Sequence, residues 1–98
     1  MPALPKPDTA ATIEIEFFGV PRVITGERAV RVSAQTLEEV AAELARVYPV
    51  LLGTVIDRES SWLLNGYTFV VDDRFSRDPS TPVSSRGSVL LVSSVAGG

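Results

Sequence analysis

The stretch Thr36-Leu37-Glu38-Glu39, with the apolar stripe behind it, constrains the fold more than any other part of the chain. Thr followed three positions later by Glu is a capping box, in which side chains satisfy the orphan N–H groups of a helix start. Leu37, Val40, Ala41, Leu44, Val47 and Tyr48 then recur at helical spacing, while Glu38, Glu39, Glu43 and Arg46 fall off the stripe. Pro49 disfavours helical angles at the residue before it, so the helix ends near Val47 or Tyr48. One helix with one apolar face needs one surface to cover it.

That surface is written as strands. Ile13, Ile15 and Phe17 alternate with Thr12, Glu14 and Glu16, a period-two pattern rich in β-branched and aromatic residues. Gly19, Pro21 and Gly26 interrupt it, and Ala29 to Val32 resumes it with Val30 and Val32 inward. The intervening ten or so residues suggest a hairpin with a loose tip. Val50 to Ser60 reads either as a short helical turn or as an irregular apolar stretch. Trp62-Leu63-Leu64 and Tyr67 to Val71 flank Asn65-Gly66, the signature of a type I′ hairpin. Asp72 to Pro82 reads as a polar loop. Its adjacent Asp72 and Asp73 lack further ligands at metal-binding spacing, so a solvated loop is expected there. Val83 re-enters the core, Arg86-Gly87 turns the chain, and Ser88 to Ser93 is the last strand. One main helix among mostly consecutive strands predicts an α+β domain, a mixed sheet with the helix on one face. Residues 1–11, with Pro at 2, 5 and 7, read as a disordered lead-in. The folded domain is expected over 12–94, followed by a flexible tail at 95–98.

The 98 residues hold no Cys and no His. Thiolate nucleophiles, disulfides, and the usual zinc and iron–sulfur sites are therefore excluded, as is the commonest general base near neutral pH. A serine without a positioned base is a weak nucleophile. No catalytic residue, metal site or bound cofactor is expected, and the chain does not read as an enzyme. A net charge of −3 argues against nucleic acid, because phosphate contacts need clustered Lys and Arg. No apolar run approaches a membrane span, and the lead-in has no apolar segment of a signal peptide, so a cytoplasmic protein is expected.

The sequence closes on Val89-Leu90-Leu91-Val92, two serines, and Val95-Ala96-Gly97-Gly98. Without a Cβ, two glycines can thread a narrow channel and bring the Gly98 carboxylate into another protein's active site. Since the last strand is apolar on both faces and a sheet backed by one helix buries only one face, one pair should remain exposed. We expect Val89, Leu91, Trp62 and Leu64 inward, with Leu63, Leu90 and Val92 forming an outward apolar patch. The competing expectation is that loop 72–82 or the lead-in covers it.

Together these features resemble the MoaD/ThiS family of sulfur carrier proteins, which have the ubiquitin-like β-grasp fold. The resemblance rests on Glu16-Phe17-Phe18-Gly19 with Arg22 and Gly26, on the Thr36-Leu37-Glu38-Glu39 start with its Tyr48-Pro49 exit, on Leu64-Asn65-Gly66, and above all on Val95-Ala96-Gly97-Gly98. Arg86-Gly87-Ser88 departs from the acidic Asp-Gly-Asp turn usual before the family's final strand, reversing the charge at that corner.

The resemblance implies a protein that is itself a substrate. An adenylyltransferase resembling ubiquitin-activating enzymes would use ATP to adenylylate the Gly98 carboxylate, with Val95, Ala96 and Gly97 threading its channel. A sulfurtransferase or cysteine desulfurase would then supply sulfur for a thiocarboxylate, which an acceptor synthase consumes. The length and the Phe17-Phe18-Gly19 opening favour the molybdopterin-type branch over thiamin and other acceptors. The alternatives are a ubiquitin-like modifier conjugated through Gly98, and a β-grasp module that binds partners non-covalently.

Overall fold

The computed structural model describes residues 11–93. The residues assigned above to the lead-in at 1–10, and Ser94 to Gly98, lie outside the described residues. The lead-in boundary moves by one position, since Ala11 already belongs to the first strand and pairs with Ala34.

Five strands form one mixed sheet: β1 (Ala11–Phe17), β2 (Ala29–Ala34), β3 (Tyr67–Val71), β4 (Arg74–Ser76) and β5 (Val89–Ser93), in the spatial order β2-β1-β5-β3-β4. β1 and β5 are parallel and every other neighbouring pair is antiparallel. The main helix, α2 (Leu37–Val47), buries Leu37, Val40, Ala41 and Leu44 against Ile13, Ile15, Phe17, Phe69, Val89 and Leu91. This is the α+β arrangement expected, with the helix packed on one face of the sheet. Val47 corrects the stripe: it lies beyond the covered turns and is exposed.

The helix start shows where its orphan N–H groups go. The Thr36 Oγ1 accepts from the Glu39 N–H at 3.3 Å, while the Glu39 carboxylate reaches back one residue further and accepts from the Gln35 N–H at 2.7 Å. The Leu37 and Glu38 N–H groups donate to the Thr81 and Pro79 carbonyls at 2.9 and 2.8 Å. The end of the 72–82 segment is thereby fastened to the helix N-terminus. Val83 follows half-buried against the core, its N–H donating to the Gln35 carbonyl.

Four local expectations are overturned. The connection after β1 is not a loose hairpin tip but a six-residue helix, α1 (Val20–Thr25), with Pro21 in its first turn and Gly26 as a left-handed cap. Pro at the start and Gly past the end terminate a helix in the same way that they interrupt a strand. Trp62 to Leu64 is not a strand of the sheet. Its backbone bonds run to the preceding segment, Asp57 N–H to the Trp62 carbonyl at 2.7 Å and Leu64 N–H to the Val55 carbonyl at 2.8 Å. Arg77 pins the same stretch by donating to the Leu63 and Tyr67 carbonyls at 2.8 and 3.0 Å. At Asn65-Gly66 only Gly66 has positive φ, so the turn is not type I′, which requires it at both central residues.

The two-residue hairpin instead lies at Asp72-Asp73, with φ of 53° and 71°, between the paired Val71 and Arg74. Asp tolerates this region because its short polar side chain bonds locally. Arg74–Ser76, read as loop, is therefore the returning strand β4. The ambiguous Val50 region opens with a single 3₁₀ turn, Pro49–Leu51, and buries Leu51, Val55 and Ile56.

Candidate functional site

β5 is the central strand, and its alternation divides it cleanly. Val89 and Leu91 are buried under α2, while Leu90 and Val92 are half-buried on the opposite face. Register fixes their company: Leu90 stands between Glu16 of β1 and Val70 of β3, and Val92 lies opposite Thr68. Val70 in turn pairs with Phe75 of β4, whose ring is 73% exposed. Phe18 continues β1, its N–H donating to the Leu91 carbonyl at 3.0 Å. It alternates with the buried Phe17 and carries the Arg22 guanidinium 5.8 Å above its ring. The outer face thus bears an apolar strip of Phe18, Val92, Leu90, Val70 and Phe75.

Leu63 does not belong to that strip. It is 4% exposed and packs in the core, because its segment folds over Val55 and Ile56 instead of extending the sheet beside β5. Trp62 and Leu64, expected inward, are half-buried, the Trp62 ring lying 5.9 Å from that of Phe69. Val70 and Phe75 are the residues that sequence reasoning missed. The signal that finds them is Asp72-Asp73 read as a positive-φ turn, which places Phe75 opposite Val70. Loop 72–82 does not lie over the strip: its first part is β4, and Pro79 and Thr81 bond to the helix N-terminus.

The strip has charged margins. Glu14 and Glu16 share its face on β1, with Arg31 opposite Glu14 on β2. An open groove runs between Glu14, Glu16, Gly87, Ser88 and Val89. At the corner before β5, formed by Arg86-Gly87-Ser88, a carboxylate arrives from the end of β3. Asp72 Oδ1 accepts from the Ser88 N–H at 2.9 Å, and the Asp72 N–H donates to the Ser88 carbonyl at 2.9 Å. A Cβ on Gly87 would come within 2.5 Å of that Oδ1. Gly87→Ala is accordingly expected to displace the carboxylate and cost about 1 kcal/mol, the net worth of one hydrogen bond. Urea unfolding checks this.

Three groups with shifted pKa values have local structural causes. Asp57 and Asp78 are held below the usual carboxylate range by the N–H and hydroxyl groups of Ser60 and Ser80. Burial, with Glu27 nearby, raises the Tyr48 phenol. Among the described residues no three His, Cys, Asp or Glu side chains gather as a metal site would require. No helix among them is long and apolar enough to cross a membrane.

β5 ends at Ser93, which pairs with Tyr67 and lies against Gly19. The residues assigned to attachment and threading, Gly98 with Val95, Ala96 and Gly97, are outside the described residues. No family model and no curated protein matches the sequence. Solved structures do match. SAMP1 from Haloferax volcanii aligns with a TM-score of 0.75 at 19% identity, over 90% of this chain and 100% of that one. This chain has the ubiquitin-like β-grasp fold.

Two other β-grasp neighbours were solved as complexes. The Amycolatopsis orientalis BexX/CysO complex matches with a TM-score of 0.69 at 19% identity, over 88% of this chain and 99% of the matched chain. The complex of subunits 1 and 2 of molybdopterin-converting factor from Helicobacter pylori 26695 matches at 0.59 and 23% identity, over 89% and 99%. In the β-grasp domain described here, the outer strip and the end of β5 share the central strand.

Proposed function

We propose that this domain is a sulfur carrier whose Gly98 carboxylate is activated and sulfurated by partner proteins. The observation that carries the reading is β5 itself. One strand anchors in the core through Val89 and Leu91, presents Leu90 and Val92 outward, and runs on toward Val95-Ala96-Gly97-Gly98. Contiguous exposed apolar surface of this kind marks protein contacts, and here it lies on the strand that precedes the tail in sequence.

The chemistry belongs to the partners. In an adenylyltransferase, a Gly98 carboxylate oxygen attacks the α-phosphorus of ATP, pyrophosphate departs, and an acyl-adenylate results. The terminal sulfur of a persulfide, on a sulfurtransferase or cysteine desulfurase, attacks the acyl carbon and expels AMP. A thiol then cleaves the S–S bond, leaving a thiocarboxylate on Gly98 and a disulfide. An acceptor synthase takes the sulfur. The likeness to the Helicobacter molybdopterin-converting factor chain supports the molybdopterin-type branch. The likeness to SAMP1, whose name is small archaeal modifier protein 1, supports a second fate: attack of a lysine amine on the same adenylate.

The deciding experiment is intact mass after incubation with ATP, the cognate adenylyltransferase, a persulfide donor and a thiol. Exchange of one oxygen for sulfur, localised to Gly98 and absent when Gly98 is deleted, is expected. An unchanged mass with a verified cognate enzyme overturns the carrier reading. Species of higher mass that resist reducing agents identify the modifier.

A further inference from the structure

Six large apolar side chains are prominently exposed among the described residues: Phe18, Val20, Val23, Val47, Val50 and Phe75. Single exposed apolar residues are ordinary, but five of these six gather at one end of the domain. Phe18 is tied to Leu91, and α1, bearing Val20 and Val23, packs on both β5 and the Pro49–Leu51 turn that bears Val50. Tyr48, between Val47 and Val50 in sequence, sets its ring edge-on to Phe17 at 5.9 Å, at the last residue of β1. Because β5 runs parallel to β1, it finishes at this same end. The Ser93 Oγ lies 3.3 Å from the position a Cβ would take on Gly19, immediately before α1. The opposite end, by contrast, carries the Asp72-Asp73 turn and Ser84, Ser85 and Arg86.

Five residues follow Ser93, Gly98 being the last, and at full extension they reach roughly 18 Å at about 3.3–3.6 Å each. Acyl activation needs the last of them enclosed, away from water. The enzyme surface therefore has to come within that reach of Ser93, toward the side chains around it. We propose that Val20 and Val23, with Val50 beside them, form an apolar collar that seats on an apolar rim around the adenylyltransferase's tail channel. This contact lies on the helix side, distinct from the Leu90–Val70–Phe75 strip, and it rests on the proposed activation of Gly98. Valine suits the role because its single stiff side-chain torsion leaves little entropy to lose on docking.

The test measures the affinity of the full chain for the adenylyltransferase of the same organism by calorimetry, with pyrophosphate exchange alongside. Val23 is 81% exposed, so Val23→Asp is expected to leave the unfolding midpoint unchanged. Its dissociation constant and KM are expected to rise about tenfold or more, with kcat close to wild type. Val50→Asp is a second variant with the same expectation. Ser85→Asp at the opposite end is the control and should change neither constant. Wild-type affinity in both valine variants overturns the collar. Loss of a wild-type self-association in Val23→Asp, with enzyme affinity intact, also overturns it and assigns the valines to a second copy. If the wild-type chain binds without exchange, the activation reading fails while the affinities still decide the collar. If it neither binds nor exchanges, both fail.

Discussion

Leu90→Asp is expected to lower kcat/KM for activation of Gly98 by about a hundredfold or more, the range of a central docking residue, while the domain stays folded. Leu90 is the middle of the outer strip, flanked by Val70 on one side and by Glu16 on the other. A carboxylate at position 90 cannot be buried against an apolar partner without a counter-ion. Beside Glu16 it also repels, which costs the folded state a fraction of about 1 kcal/mol in a solvated cross-strand position. Two companions separate docking from folding. Leu90→Arg places a cation beside Glu16 and should recover stability without recovering activation. Phe75→Ser removes a ring that is already 73% exposed, so it should weaken activation with no loss of thermal stability. Steady-state pyrophosphate exchange and thermal unfolding check all three. Normal activation of Leu90→Asp would exclude the strip as the docking face.

The regular elements were legible because each carries a long periodic signal. Ile13, Ile15 and Phe17 alternate over seven strand residues, and the α2 stripe runs three turns behind a cap that the structure confirms. The shorter elements were not. α1 spans six residues, too few for a period to declare itself, and its Pro21 and Gly26 punctuate a strand break equally well. The sequence points to the wrong hairpin because Asn65-Gly66 is the stronger local turn signal. The tertiary structure uses it to re-enter the sheet from a packed loop and gives the positive-φ pair to Asp72-Asp73. That displacement propagated to the site. With Trp62 to Leu64 as the neighbour of β5, Leu63 points outward and Phe75 falls in a loop. With β3 as the true neighbour, Val70 and Phe75 complete the strip and Leu63 joins the core. The outward orientation of Leu90 and Val92 is legible all the same, because a strand's own alternation does not depend on which strand lies beside it.

Leu91→Ala, one residue along the same strand, is expected to do the reverse of Leu90→Asp. Leu91 is fully buried, paired with Phe17 of β1 and Phe69 of β3 on the face that α2 covers. Both neighbours belong to the sheet backbone and to the largest side chains of the core, so the site has little freedom to collapse around a smaller residue. Truncation there removes transfer energy and leaves a cavity, together about 2–5 kcal/mol. That is a large share of the 5–15 kcal/mol typical of small domains, and at about 4–8 °C per kcal/mol it lowers Tm steeply. The urea midpoint should fall with the slope m unchanged, as befits a loss of stability without a change in the surface exposed. Below the new transition the outer strip is intact, so activation of the Gly98 end should retain its wild-type kcat/KM. Adjacent leucines on one strand would then separate, one governing whether the domain is folded and the other whether its tail is used. Loss of activation in folded Leu91→Ala would instead mean that the strip's geometry depends on core packing beneath β5.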